Sequence, residues 1–318
     1  RDSGTQYHQG IAGLSLLNTP DPGSIGKILI RVNNWIGDVV MISPAMRAVR
    51  RTFPQAEITL LAKTWVLDAL GGSPYYDRLI EYDRAGNHSS WGGRWALIRA
   101  LRKEHFDLAL LFQKAFEAAL FSYLARIPRR VGFRTDSRAW LLTDPVETPQ
   151  GLHHVDQFFR IAEAVGAKDA DRRLSFHLTP QGEDGALRLL QRLGLNAESL
   201  LIAVHPGASK PERAWPADRV GMVVSTLVRE YEAVPILLGS FADAKALETI
   251  RSMVGVRCTP PTGSLNLQEM AALLRHCQLL ICNDSGPMHI AAALRVPVVT
   301  VFGPGDRERT GPPSPPGL

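Results

Sequence analysis

The chain has 318 residues, 45% of them hydrophobic and 21% charged. That balance excludes a disordered polymer and suits two moderate domains, each able to bury its own core. No apolar run approaches the ~20 residues that cross a bilayer. The cysteines (Cys258, Cys277 and Cys282) are odd in number and lack metal-like spacing, which favours reduced thiols in the cytoplasm. A formal net charge of +5 points to an anionic partner without choosing among nucleotide, phosphorylated lipid and nucleic acid.

Residues 1–23 show no clear period and end in Asn18-Thr19-Pro20-Asp21-Pro22-Gly23, so they read as a loose leader. The Ile11–Leu17 stretch lacks the cationic lead-in and small-residue cleavage site of a signal peptide. The first domain (24–166) opens with a strand over Lys27–Val32. Asn33-Asn34-Trp35-Ile36-Gly37-Asp38 then turns into a helix from about Val39 to Arg51. Strands are expected again at Ile58–Leu61, Arg78–Tyr82 and Asp107–Phe112, with helices over Trp95–Lys103 and Phe116–Ala125 between them. Alternation of this kind predicts a parallel, doubly wound sheet, which places ligands at the carboxyl ends of its strands.

Arg126, Arg129, Arg130, Arg134 and Arg138 form the most basic region, read either as a solvated rim or as a cradle for acceptor phosphates. It has no interleaved aromatics and no DNA-binding helix pair, so nucleic acid is not the expected partner. His153-His154-Val155-Asp156 opens a helix through Val165, and adjacent helical positions point to different faces, which disfavours a metal site there. The charged stretch from Gly166 to Thr179 marks the boundary to the second domain (167–318).

In the second domain Leu201–His205 is a strand and Pro206-Gly207-Ala208-Ser209 a small-residue turn. Lys210–Pro216 leads into a helix over Ala217–Glu230. Further elements are strand Val234–Leu238, helix Ala242–Arg251, strand Val256–Cys258, helix Leu267–His276 and strand Pro297–Phe302. Between the last two lies Leu279–Ala293, an apolar strand, the turn Asp284-Ser285-Gly286, and a helix with Pro287 in its first turn. Free N–H groups and the positive helix end make this turn a place for a phosphate, within reach of His289. An ordinary βα turn with Asp284 as N-cap is the alternative.

No Gly-x-Gly-x-x-Gly follows either first strand, and there is no Walker-type loop, so redox dinucleotides and nucleotide-triphosphate hydrolysis are disfavoured. Instead the N–H groups of Gly207, Ala208 and Ser209, the charge of Arg213 and the turn at Asp284–Gly286 could bracket one diphosphate. Donors fixed in advance lower the barrier to its departure. Asp38, from the other domain, could take a proton from an attacking hydroxyl or simply cap its helix.

The ordered set Asn34-Trp35-Ile36-Gly37-Asp38, Arg130-Val131-Gly132-Phe133-Arg134, His205-Pro206-Gly207-Ala208, Arg213-Ala214-Trp215-Pro216, Asp284-Ser285-Gly286-Pro287-Met288-His289 and Phe302-Gly303-Pro304 resembles the lipopolysaccharide heptosyltransferases, over roughly residues 26–311. The Asn-Trp-x-Gly-Asp form is most similar to their heptosyltransferase II branch. The resemblance implies the GT-B fold, two Rossmann-like α/β domains facing across a cleft. It also implies transfer of L-glycero-D-manno-heptose from the donor ADP-heptose to the lipid-A-linked core oligosaccharide, with inversion and without metal or cofactor. Such an enzyme is expected in the cytoplasm, peripheral to the inner membrane.

By position, Asp38 is then the general base, and Arg213 holds the diphosphate where the family often has lysine. Asp284, Ser285, Gly286 and His289 contact phosphate or sugar, Asp243 lies near the ribose and Leu265 near the adenine. The chain departs from the family at its end, where Gly311–Leu318 stands in place of a closing helix, as a truncated chain would. A transferase using another nucleotide sugar and an inactive binding or scaffold protein of the same fold share the pattern.

Overall fold

The computed structural model describes residues 19–148, 150–196, 198–255 and 265–313. The first half runs β1 (Lys27–Arg31), α1 (Ile36–Thr52), β2 (Glu57–Ala62), α2 (Thr64–Leu70), β3 (Arg78–Glu81), α3 (Trp91–Lys103), β4 (Leu108–Leu111), α4 (Phe116–Leu124), β5 (Arg129–Phe133) and β6 (Asp144–Val146). Helices α5 (His154–Glu163) and α6 (Pro180–Arg192) follow. Then come β7 (Leu201–His205), α7 (Ala217–Tyr231), β8 (Val234–Leu237), α8 (Ala244–Val254), α9 (Leu267–Leu274), β9 (Leu279–Asn283), α10 (Gly286–Ala293), β10 (Val298–Val301) and α11 (Arg307–Thr310). Among the described residues no helix is long and apolar enough to cross a membrane.

Two parallel sheets result, ordered β3-β2-β1-β4-β5-β6 and β10-β9-β7-β8. The expected architecture of two doubly wound α/β units is therefore present. Strand order reverses between β1 and β4 in the first sheet and between β7 and β9 in the second, and such reversals open a crevice at the strands' carboxyl ends. Strand residues are buried on both faces: Ile28 and Ile30 enter a core shared with α1 and α5, while Leu29 packs with α3 and α4 on the other side. The first of these cores continues through α9, β9 and α10 of the second half.

Several elements differ from expectation. Helix α1 starts at Ile36, with Trp35 as its N-cap, and it carries Pro44 in its interior. That proline has no N–H for the Val40 carbonyl. Ser43 Oγ donates to it instead, at 2.6 Å, and also accepts the N–H of Ser175. Helices α2 and α6 and strands β5 and β6 go beyond the expected elements; α2, β5 and β6 are short. The predicted strand Val256–Cys258 lies outside the described residues, and Cys277 and Cys282 are free and buried.

The basic stretch is partly structural, so the solvated-rim reading holds for only part of it. Arg129 pairs with Asp144 on the neighbouring strand at 3.0 Å, and Arg130 donates to the Leu141 and Ile127 carbonyls. Arg138 is 0% exposed and donates to the carbonyls of Phe133, Gln113 and Ala115. Burial lowers its pKa to about 10, still charged at neutral pH. Arg126 and Arg134 stay at the surface, Arg134 beside Glu147.

After α5, residues 168–179 lead to the second half as extended chain. Buried Arg47 of α1 donates to the Asp171 and Arg173 carbonyls, with the Asp171 carboxylate at 3.2 Å. From α9, Gln268 donates to the Asp68 carbonyl at the end of α2 and accepts the N–H of Thr179. Removing Arg138 would leave the Gln113 carbonyl without its donor, strip the Phe133 and Ala115 carbonyls of their second one, and leave a void. Arg138→Ala is expected to lower the unfolding free energy by about 3 kcal/mol or more, read from urea denaturation.

Candidate active site

Strand β1 delivers Asn33 to the carboxyl edge, and the turn that follows brings Asp38 to the third position of α1. This corrects the alternative of Asp38 as an N-cap: the cap is Trp35, and Asp38 lies within the first turn. Asn33 Nδ2 donates to Asp38 Oδ2 at 2.9 Å. Burial raises the carboxyl's pKa, held back by that amide and by the nearby charge of Lys114. The result is a carboxyl more basic than an exposed one, with two neighbours that favour its charged form.

Strand β9 delivers the opposing half. Ser285, not Asp284, is the N-cap of α10, its side chain leaving the helix N–H groups uncapped. Asp284 is buried and pairs with Arg213 at 3.1 Å. The turn that carries Arg213 is held in place by Asn283, whose Oδ1 accepts the N–H of Trp215 (3.0 Å) and whose Nδ2 donates to the Pro206 carbonyl (2.6 Å). His205 closes β7 with Nδ1 3.5 Å from Ser285 Oγ, and burial lowers its pKa. The bends at Pro206–Ser209 and Asp284–Gly286 are therefore neighbours at the strand reversal of the second sheet.

The two halves touch at their helix starts. A Cβ at Gly286 would lie 3.3 Å from Cβ of Ile36, and one at Gly37 would lie 2.8 Å from Cδ2 of His289. Glycine at both positions lets α1 and α10 approach this closely, and it brings the first turn of α1, which carries Asp38, against the start of α10. His289, 4% exposed, fills the space under Gly37. Burial, with His153 and His154 nearby, lowers its pKa to about 4, and its Nδ1 has no hydrogen-bond partner among the described residues.

Asp243 lies one strand away, its Oδ1 2.5 Å from where a Cβ of Gly207 would be, and its Oδ2 accepts the N–H and Oγ–H of Ser240. Leu265 packs against the shared core just before α9. Asn33, Lys114 and Asn283 were missed. Lys114 follows β4, at the reversal of the first sheet, and the rule that sites gather at strand ends could have found it. Asn283 ends an apolar strand and reads from sequence as strand alone. His153 caps α5 through Nδ1, and its Nε2 meets the Gly311 carbonyl at 2.7 Å. Among the described residues no three His, Cys, Asp or Glu side chains gather as a metal requires.

Known proteins resemble this chain in sequence and in fold. The profile of glycosyltransferase family 9 (heptosyltransferase) matches residues 94–316. Lipopolysaccharide heptosyltransferase 2 of Salmonella typhimurium is 29% identical over 297 residues, covering 90% of this chain and 85% of that protein. Its Escherichia coli counterpart is 28% identical over the same shares. The solved Escherichia coli ADP-heptose LPS heptosyltransferase II superposes with a TM-score of 0.78 at 25% identity, over 90% of this chain and 87% of that one. A glycosyltransferase family 9 protein from Veillonella parvula shares the fold at a TM-score of 0.85 and 23% identity, over 90% and 84% of the two chains. The fold is GT-B.

A neutral, buried His289 favours the folded state only while the unfolded chain's histidine is also neutral. Stability is complete above about pH 6.5 and is lost as pH falls toward 4. Urea unfolding at pH 7 and pH 5 should differ by roughly 2 kcal/mol on account of this group. His289→Gln should flatten that dependence.

Proposed function

The chain belongs to glycosyltransferase family 9, and from that premise we propose that it transfers L-glycero-D-manno-heptose from ADP-heptose to the lipopolysaccharide inner core. The observation that carries this reading is the meeting of α1 and α10, which brings the helix start bearing Asp38 against the one that follows the Asp284–Gly286 turn, with Arg213 paired to Asp284. On this reading residues 24–166 receive the acceptor and residues 167–318 the nucleotide sugar.

Asp38 takes the proton of an acceptor hydroxyl as its oxygen attacks the anomeric carbon. The bond from that carbon to the diphosphate breaks on the opposite face, so the configuration inverts and ADP leaves. The N–H groups at Gly207–Ser209 and Ser285–Gly286 receive the charge that develops on the leaving oxygen, as does the guanidinium. These groups are already in position, and the reaction needs no metal. Asp284 orients Arg213, and an arginine fork can grip two phosphate oxygens where a lysine would grip one.

The enzyme is cytoplasmic and works at the inner face of the inner membrane. Exposed tryptophans beside cations support that placement: Lys63 lies 4.6 Å from the Trp65 ring and Arg94 5.3 Å from that of Trp91. Such pairs suit an anionic lipid interface.

The test is turnover with ADP-heptose on heptosylated and unheptosylated core acceptors. ADP release only when acceptor is present supports the reading, and turnover with a uridine or guanosine donor instead would overturn it. Asp38→Asn should slow transfer by ~10²-fold or more with donor affinity little changed. Unaltered turnover would leave Asp38 no catalytic part. Arg213→Ala should weaken ADP binding about tenfold or more, with Arg213→Lys recovering part of the loss; calorimetry reads both.

A further inference from the structure

With a diphosphate between the ends of β7 and β9, the sugar end of the donor points to Asp38, past the start of α10. The nucleoside must then run the other way along the carboxyl edge of the second sheet. Toward β10 the way is filled. A Cβ at Gly305 would lie 2.5 Å from Asp284 Oδ2, and one at Gly303 3.0 Å from the Glu212 carbonyl. The other direction leads to β8. That strand lies directly beside β7, Leu237 opposite Val204, so the loop leaving it stands about 5 Å along the sheet from the Pro206 bend.

That loop is Ser240-Phe241-Ala242-Asp243. Phe241 is 96% exposed, the highest value for any large apolar side chain among the described residues. Its backbone is nonetheless held. Ser240 N and Oγ both donate to Asp243 Oδ2, at 2.8 and 2.7 Å, and Asp243 N donates back to the Ser240 carbonyl at 3.0 Å. A bare ring on a fixed turn, one strand from the diphosphate cradle, has the features of a stacking surface: a flat apolar face that loses little freedom when covered.

We propose that Phe241 is the platform on which the base of the nucleotide donor stacks, and so a binding residue of the donor site. This rests on the nucleotide-sugar reading above. Calorimetric titration of the full chain with ADP and with inorganic pyrophosphate tests it. Phe241→Ala should weaken ADP binding roughly tenfold while leaving pyrophosphate binding unchanged, and Phe241→Trp should bind ADP at least as well as the parent. Because the side chain is exposed, both variants should unfold at the parent's urea midpoint.

A parent that binds ADP, with a Phe241→Ala variant that binds it equally well, would overturn the stacking role and leave the donor reading standing. Equal losses for ADP and pyrophosphate would also overturn it, since the residue would then act on the cradle and not on the base. A parent that binds ADP no better than pyrophosphate would remove the nucleotide reading, and this inference with it.

Discussion

The approach of two helix starts, α1 from the first half and α10 from the second, is the constraint on which the rest of the molecule depends. Each helix carries partial positive charge at its N-terminus, so bringing the two together is unfavourable unless negative charge lies between them. Asp38 and Asp284 supply part of that charge. The approach also favours glycine at positions 37 and 286, since a Cβ at the first would clash with His289 and one at the second would crowd Ile36. Both requirements are local and cheap in sequence, yet together they make a cleft that attracts an anion.

Most of the chain's arginines are committed elsewhere. Arg31 is buried at the end of β1, donating to the Val32 and Leu61 carbonyls, and burial pulls its pKa to about 10. Arg47 and Arg138 are bound to carbonyls in the same way. A guanidinium can satisfy several carbonyls at once, which a lysine cannot do with the same geometry. The positive formal charge thus overstates what is free to meet a ligand, and the cations that remain at the cleft, Arg213 and Lys114, are each paired or opposed by a carboxylate of the site itself.

Much of the fold was legible because buried parallel strands are apolar on both faces and are punctuated by small residues. Strands β1, β2, β7 and β9 were found with nearly their observed bounds. β5 was hidden because arginines open it, and β6 because it is three residues long with a proline in the middle. The site was legible where it rests on glycine and proline at a strand end, as at Asp284–Pro287. It was illegible where it rests on long-range bonds. Nothing near Asn283 in the sequence announces that its amide ties down both ends of a loop some seventy residues upstream. The sequence left capping open at Asp38 and Asp284 because a capping side chain and a functional one use the same residue types; the caps are Trp35, three positions before Asp38, and Ser285, one after Asp284.

The grip of Arg47 on the connecting segment has a mechanical consequence. With the Asp171 and Arg173 carbonyls bound to α1, and Ser175 N bound to Ser43, the connector through residue 175 travels with the first half. Any swing that widens the cleft must be absorbed by the few residues from Phe176 to Thr179. Gln268 spans that short pivot, holding the end of α2 on one side and Thr179 on the other. Its one amide is therefore placed to set how far the jaws can part before a hydrogen bond breaks.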